Sequence, residues 1–362
     1  MARPIVADID LDALRRNYSL AQTLAPNSQA IAVIKADAYG HGAVACAKAL
    51  SHQAPAFAVA SLEEARALRE AAIRQPILLL EGIFEPMELA EVESLGLWQV
   101  VHSDWQIEAL MAYRPAAPMT VWLKLDSGMH RLGFAPSAFA ARWHRLKAAK
   151  ERVRDLHLIS HFASADHLDS PQFAAQWQAI DTLRQSLGAS ICVANSPATL
   201  IRPPTRAAWN RPGIMLYGSN PLQGNLPDSI ELAPVMTLRS RLIAVQSLSA
   251  GQPVGYGGRW RSARPTRIGV VAAGYGDGYD RHAADGTPVL VDGRRCPLVG
   301  RVSMDMLTVD ISDLPDAGVG SEVTLWGDGL PVDEVAAHCD TIGYTLLTGV
   351  LPRVPRRYQG QR

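Results

Sequence analysis

Short strand-like apolar runs recur along the first two thirds of this 362-residue chain, each followed by a stretch with helical spacing. That rhythm limits the fold more than any other feature. The runs are Ile31–Ile34, Phe57–Ala60, Ile77–Leu80, Gln99–His102, Val121–Leu125, Leu156–His161, Ile191–Ala194 and Gly213–Tyr217, preceded by PIVADI at 4–9. Runs of strand length separated by helical windows read as βα units of a parallel sheet. Asp10 caps a first helix carrying Leu14, Tyr18 and Leu24. Further helices are read over His41–Ser51, from Ser61 with Glu63 and Glu64 in its first turn, from Pro86, from Asp104, over Pro136–Arg152 and over Pro171–Leu187. Roughly eight alternations in about two hundred residues is the size of a (β/α)8 barrel. An open doubly wound sheet competes, but no GxGxxG turn opens the first unit.

Around Glu231–Pro234 the rhythm changes. Met236–Val245, Arg267–Ala273, Pro288–Val291, Leu307–Ile311 and Val323–Leu325 read as strands, with turns at Asp292-Gly293 and Gly327-Asp328-Gly329 and one helix over Asp333–Asp340. The expected class is α/β plus β. An N-terminal (β/α)8 TIM-type barrel covers 1–232 and a mainly β domain covers 233–362, with residues 1–9 able to pair with the second domain instead.

Apolar residues make up 48% and charged residues 19% of the chain, as in ordinary globular proteins. A formal net charge of zero argues against nucleic acid or an anionic membrane as a partner. Cys46, Cys192, Cys296 and Cys339 lie far apart without metal-ligand spacing and read as reduced thiols. His161 and His167 in HFASADH lack a third ligand, so no metal is expected. MARPIVADIDLDAL carries early acids and no signal-like core, and no apolar run reaches bilayer length. A cytoplasmic location is expected.

IAVIKADAYGHG at 31–42 places a lone lysine, Lys35, where a buried strand gives way to a glycine-containing turn. A buried lysine is costly unless its pKa falls or it is covalently engaged. A snorkelling or salt-bridged lysine is the alternative. Lys124 with Asp126, His161, Asn195-Ser196 and Arg211 also stand at strand ends, and a barrel brings such positions to one mouth. Ser196, Gly213 and Ile214 add a hydroxyl and backbone N–H groups suited to a phosphate.

Here the sequence resembles the alanine racemases. VIKADAYGHG (33–42) is similar to their pyridoxal-phosphate (PLP) attachment motif, and LDSGMHRLG (125–133), SHFASAD (160–166), NSPATL (195–200) and RPGIMLYG (211–218) follow in order. VGYGG (254–258), GYGDGY (274–279) and GRVSMD (300–305) extend the match through the second domain. The resemblance implies a barrel plus β domain, PLP as cofactor, L- and D-alanine as substrates, and a head-to-tail homodimer with shared active sites. It implies racemisation through an external aldimine with two bases, Lys35 for the D-alanine face and Tyr256 of the partner subunit for the L-alanine face. His161 and Arg211 would form a hydrogen-bonded path behind that tyrosine.

Other roles follow from the same resemblance. Arg211 would face the pyridine nitrogen, where a permanent donor leaves that nitrogen unprotonated. Arg131 would contact the phenolic oxygen and the substrate carboxylate. Lys124 matches a lysine often carbamylated, whose added negative charge would orient Arg131; an ordinary ion pair with Asp126 is the alternative. Tyr39, Ser196, Gly213 and Ile214 would hold phosphate. Met304 and Tyr275 would meet substrate, and Asp166, Arg281 and Arg301 would line the entrance.

Two departures stand out. Pro352, in VLPRVPR, is read as replacing a tyrosine that reaches the phosphate in some members, and Ser303 as replacing a cysteine. A PLP racemase of serine or another amino acid, or a non-catalytic PLP-binding protein, is the alternative function. Barrel-plus-β decarboxylases are disfavoured by Arg211, because they place a carboxylate at the pyridine nitrogen.

Overall fold

A computed structural model describes residues 3–360. Strand β1 (Val6–Asp10) leads directly into helix α1 (Leu11–Leu24), and the Asp10 carboxylate fixes the junction by accepting from the Asp12 and Ala13 amides. Eight parallel strands then close a barrel in chain order: β2 (Gln29–Val33), β3 (Ala56–Val59), β4 (Ile77–Leu79), β5 (Trp98–Val101), β6 (Met119–Lys124), β7 (Val153–Ile159), β8 (Ile191–Ala194) and β9 (Trp209–Asn210). Between them run α2 (Ala43–Leu50), α3 (Leu62–Glu70), α4 (Leu89–Ser94), α5 (Asp104–Ala112), α6 (Pro136–Ala148), α7 (Pro171–Leu187) and α8 (Ser196–Ile201). Every residue of β3, β4 and β8 is buried, as expected for strands covered on both faces. Rings of Trp98, Trp122, His157 and Trp209, from four different strands, pack together inside the barrel, leaving the carboxyl ends of the strands for a cavity.

One barrel expectation is corrected. The closing strand is Trp209–Asn210, and Ile214–Tyr217 forms a 3-10 turn. Pairing continues through Arg211 N–H to the Ala194 carbonyl and Val33 N–H to the Pro212 carbonyl. Pro212 has no N–H to extend the ladder, and the chain turns at Gly213. The run 4–9 takes the other course left open for it and joins the second domain: β1 pairs antiparallel with β10 (Met236–Leu248) and parallel with a C-terminal strand, Arg356–Gln359.

The remaining sheet is organised on the 13-residue strand β10, which pairs along its length with β1, β13 (Thr266–Val271) and β17 (Glu322–Trp326) after a small ribbon of β11 (Pro253–Val254) and β12 (Trp260–Arg261). Strands β14 (Pro288–Val291) and β15 (Arg294–Pro297) extend the β17 edge, and β16 (Leu307–Asp310) pairs with β13. Helices α9 (Val332–His338) and α10 (Gly343–Thr348) precede β18 (Arg356–Gln359). The Asp333 carboxylate joins α9 to the barrel by accepting from the Ser219 hydroxyl and the Asn220 amide. Among the described residues, no helix is long and apolar enough to cross a membrane.

Candidate active site

Lys35 follows β2 at the barrel mouth, and the backbone after it is unusual. Ala36, Asp37, Ala38 and Tyr39 all have φ of 52–53°, the left-handed region, before Gly40 at 83°. Each non-glycine residue there costs about 1–2 kcal/mol. Local partners hold the turn. Glu64 of α3 accepts from the Ala36 amide at 2.7 Å with one oxygen and from the Ala60 amide at 2.7 Å with the other. Asp37 accepts from the Ala43 amide at 2.7 Å, and buried His41 places Nδ1 2.9–3.0 Å from the Tyr39 and Ala38 carbonyls. Two carbonyls can only accept, so His41 carries its proton on Nδ1.

Lys35 opens onto a cavity of about 610 Å³ whose lining includes Tyr39, Lys124, Arg131, His161, Ser196, Arg211, Gly213 and Ile214. All eight were singled out in the sequence, and the barrel brings them together. Among the described residues the lining holds four basic side chains, Lys35, Lys124, Arg131 and Arg211, and one carboxylate, Glu81. Desolvation lowers the Lys124 pKa to about 7, helped by Arg211, Arg131 and Lys35. The ion pair with Asp126 is not formed. That carboxylate instead accepts from the Gly128, Met129 and His130 amides and the His130 ring.

Arg211, 5% exposed, is fixed beneath the cavity. Nη1 donates to the Cys192 carbonyl, and Nη2 donates to the Ser160 carbonyl at 2.7 Å and approaches His161 Nδ1 at 3.4 Å. Desolvation, then Arg211, Lys124, Arg131 and Lys35, push His161 well below its ordinary pKa, so the ring is neutral and accepts from Arg211.

At the other end the Ser196 hydroxyl accepts from the Gly213 amide at 2.9 Å and from Met215 at 3.3 Å. A Cβ at Gly213 would stand 2.7 Å from the Tyr39 hydroxyl, so this corner exists only because residue 213 is glycine. Burial pushes the Tyr39 phenol up to about 12. Its ring lies 4.8 Å from that of Tyr217 and 6.0 Å from that of Tyr344, measured between centroids.

Tyr344 corrects the expectation placed on Pro352. Pro352 is exposed and does not line the cavity, whereas Tyr344 and Thr348 of α10 do. A tyrosine from the second domain is therefore present, eight residues earlier in the chain. Glu64 reads in the sequence as an ordinary first-turn acid, and Glu81 carries no motif that marks it for the mouth. Asp166 lies in an adjoining hollow, also about 610 Å³, which shares His161, Asn195 and Tyr344 with the first.

Tyr256, Tyr275 and Met304 are not brought to this cavity. They are 70%, 37% and 54% exposed on the second domain. Tyr275 and Met304 share one surface, because the Tyr275 and Gly276 amides donate to the Ser303 and Met304 carbonyls. Arg301 is exposed, and its amide nitrogen lies 3.5 Å from where a Cβ on Gly255 would sit, beside Tyr256. Arg281 is exposed too.

A closed barrel carrying Lys35 and Lys124 at a cation-rich mouth, with a second sheet domain supplying a tyrosine to that mouth, defines a two-domain barrel enzyme. The family profile described as alanine racemase, N-terminal domain, matches residues 9–221, and the alanine racemase C-terminal domain matches 235–358. The chain is 68% identical over 359 residues to the alanine racemase of Chromohalobacter salexigens, covering 99% of both chains. It is 54% identical over 358 residues to one from Pseudomonas aeruginosa named alanine racemase, catabolic, again covering 99% of both. The crystal structure of the biosynthetic alanine racemase of Pseudomonas aeruginosa superposes with a TM-score of 0.95 at 51% identity, with 99% of each chain covered. The structure of alanine racemase from Acinetobacter baumannii gives 0.94 at 36% identity, covering 99% of this chain and 100% of that one. The chain belongs to the alanine racemase family.

Proposed function

We propose that this chain interconverts L-alanine and D-alanine in the cytoplasm, with PLP in the barrel mouth and a second copy of the chain completing each site. Its parts are a PLP-binding barrel over 1–232, from which β1 crosses to pair with the other sheet, and a β domain over 233–362. The observation that carries the reading is the cavity at Lys35, where Lys35, Arg131, Arg211 and a partly protonated Lys124 outweigh one carboxylate and leave positive charge for an anionic occupant. The corner kept open by Gly213 under the Tyr39 hydroxyl fits a phosphate, and the Lys35 amine fits an aldehyde. When bound, PLP supplies an aldehyde that condenses with amines and a ring that withdraws electrons from the carbon beside the nitrogen.

The protein groups then have separable tasks. Tyr39, Ser196 and the Gly213 and Ile214 amides hold phosphate. Arg211 directs a donor that never becomes an acceptor towards the ring nitrogen. Arg131 orients the phenolic oxygen and the substrate carboxylate. The Lys35 Nζ exchanges a proton with Cα on one face, and the hydroxyl of Tyr256 of the partner subunit does so on the other. His161, neutral and bonded to Arg211, lies on the path that resupplies that tyrosine. Lys124, with a pKa of about 7, is partly neutral near neutral pH and can add CO2: an N–C bond forms, a proton leaves to solvent, and the new anion faces Arg131. Met304 and Tyr275 of the partner subunit contact substrate, and Asp166 with the partner's Arg281 and Arg301 lines its way in.

The test is chiral chromatography of a panel of L-amino acids incubated with protein and PLP. D-alanine should form fastest, and absence of D-alanine alongside turnover of another amino acid would reassign the substrate.

A further inference from the structure

The turn 36–40 is the most strained segment beside the cavity, and four consecutive non-glycine left-handed residues persist only where the surroundings over-determine them. Glu64, Asp37 and His41 supply contacts from within the barrel domain. A further contact comes from the second domain of the same chain. Arg356, the first residue of β18, donates from Nε to the Gly40 carbonyl at 3.2 Å, the end of the strained turn. Its Nη1 donates to the Leu351 and Val354 carbonyls at 3.1 and 3.0 Å, and Nη2 to the Val350 carbonyl at 2.8 Å. All four acceptors are main-chain oxygens, and among the described residues no carboxylate is paired with Arg356. The guanidinium acts as a rigid fork between two backbones. The fit is close on the same side: a Cβ at Gly40 would stand 2.2 Å from the Leu347 carbonyl oxygen, and one at Gly42 2.0 Å from the Tyr358 hydroxyl.

We propose that Arg356 is a positioning residue for Lys35 and Tyr39, so that the β domain shapes the cofactor lysine of its own chain as well as completing the partner's site. The inference rests on Lys35 being the cofactor lysine. Without the fork, the buried Gly40 carbonyl loses its side-chain donor, and relaxation of Ala36–Tyr39 towards right-handed backbone is downhill in strain. Such a relaxation starts at the residue after Lys35 and carries the Tyr39 ring with it.

The experiment compares full-length wild type, R356Q and R356K. Protein is treated with PLP and then borohydride, and peptide masses give the rate at which Lys35 becomes labelled. Amide hydrogen exchange is read over 36–43 against β2 and β3, and kcat and KM for alanine are measured alongside. In R356Q, Lys35 labelling should slow and exchange in 36–43 should quicken by roughly tenfold each, while the strands are unchanged. The kcat should fall more than KM moves, and R356K should recover part of every loss. A folded R356Q whose labelling and turn exchange stay within about twofold of wild type overturns the proposal. If R356Q does not fold, the same two readouts on R356K decide. Wild-type label on a lysine other than Lys35 overturns the functional reading itself, and with it this proposal, an outcome visible without any variant.

Discussion

His41 illustrates how a single residue can serve the site without facing it. Its ring is fully buried against Tyr217, Nδ1 is committed to two carbonyls of the Lys35 turn, and Nε2 has no partner. Desolvation lowers its pKa to about 4. Between that value and the ordinary 6.5, the unfolded chain binds a proton that the folded chain refuses. The stability this group contributes is complete above about pH 6.5 and is lost as pH falls through about 4, worth roughly 3 kcal/mol across the window. Wild-type urea midpoints should therefore drop between about pH 7 and pH 4.5. In H41N, which keeps a donor for the carbonyls but cannot titrate, the drop should be visibly smaller. An equal drop in both proteins would remove His41 from the acid response.

The phosphate corner belongs to an element, the 3-10 turn that follows β9, and its glycine can be tested directly. G213A puts a methyl group 2.7 Å from the Tyr39 hydroxyl without requiring positive φ, so the fold should survive while PLP affinity falls at least about tenfold. Spectroscopic titration of apoprotein with PLP, beside a thermal melt, separates the two effects; tight binding by G213A would place the phosphate elsewhere. At this scale the sequence was most informative where elements are periodic. Barrel strands and helices could be read from apolar runs, and Lys124, His161, Ser196 and Arg211 from their places at the strand ends. What escaped depended on tertiary contacts. KADAY contains two alanines, strong right-handed helix formers, yet Glu64, His41 and Arg356 hold its neighbourhood left-handed. Helix α10 is six residues long and begins at Gly343, too short for a periodic signal, so nothing in the sequence marks Tyr344 as a cavity residue. The N-terminal run could be seen as a strand, but its two partners lie more than two hundred residues away.

For the whole molecule, the decisive fact is the separation between the cavity and Tyr256. One protomer gathers Lys35, Arg211 and the phosphate corner at its barrel mouth, while Tyr256, Tyr275 and Met304 stand exposed on its other domain. Within the described chain these halves do not meet. A closed dimer of two-fold symmetry presents the same pair of surfaces twice, so a head-to-tail arrangement can satisfy both mouths at once. Complementation then has a definite outcome. K35A lacks the lysine but offers an intact Tyr256, and Y256F offers the lysine without the hydroxyl. Each alone should have little racemase activity. In a mixed dimer the Y256F barrel receives Tyr256 of the partner subunit and forms one intact site, while the other site lacks both groups. Random re-pairing makes half of the dimers mixed, so activity after unfolding and refolding the two together should recover to about a quarter of wild type. Mixing without subunit exchange should recover nothing. A refolded mixture that stays as inactive as its components, although mass spectrometry shows mixed dimers, would mean that each site is completed within its own chain.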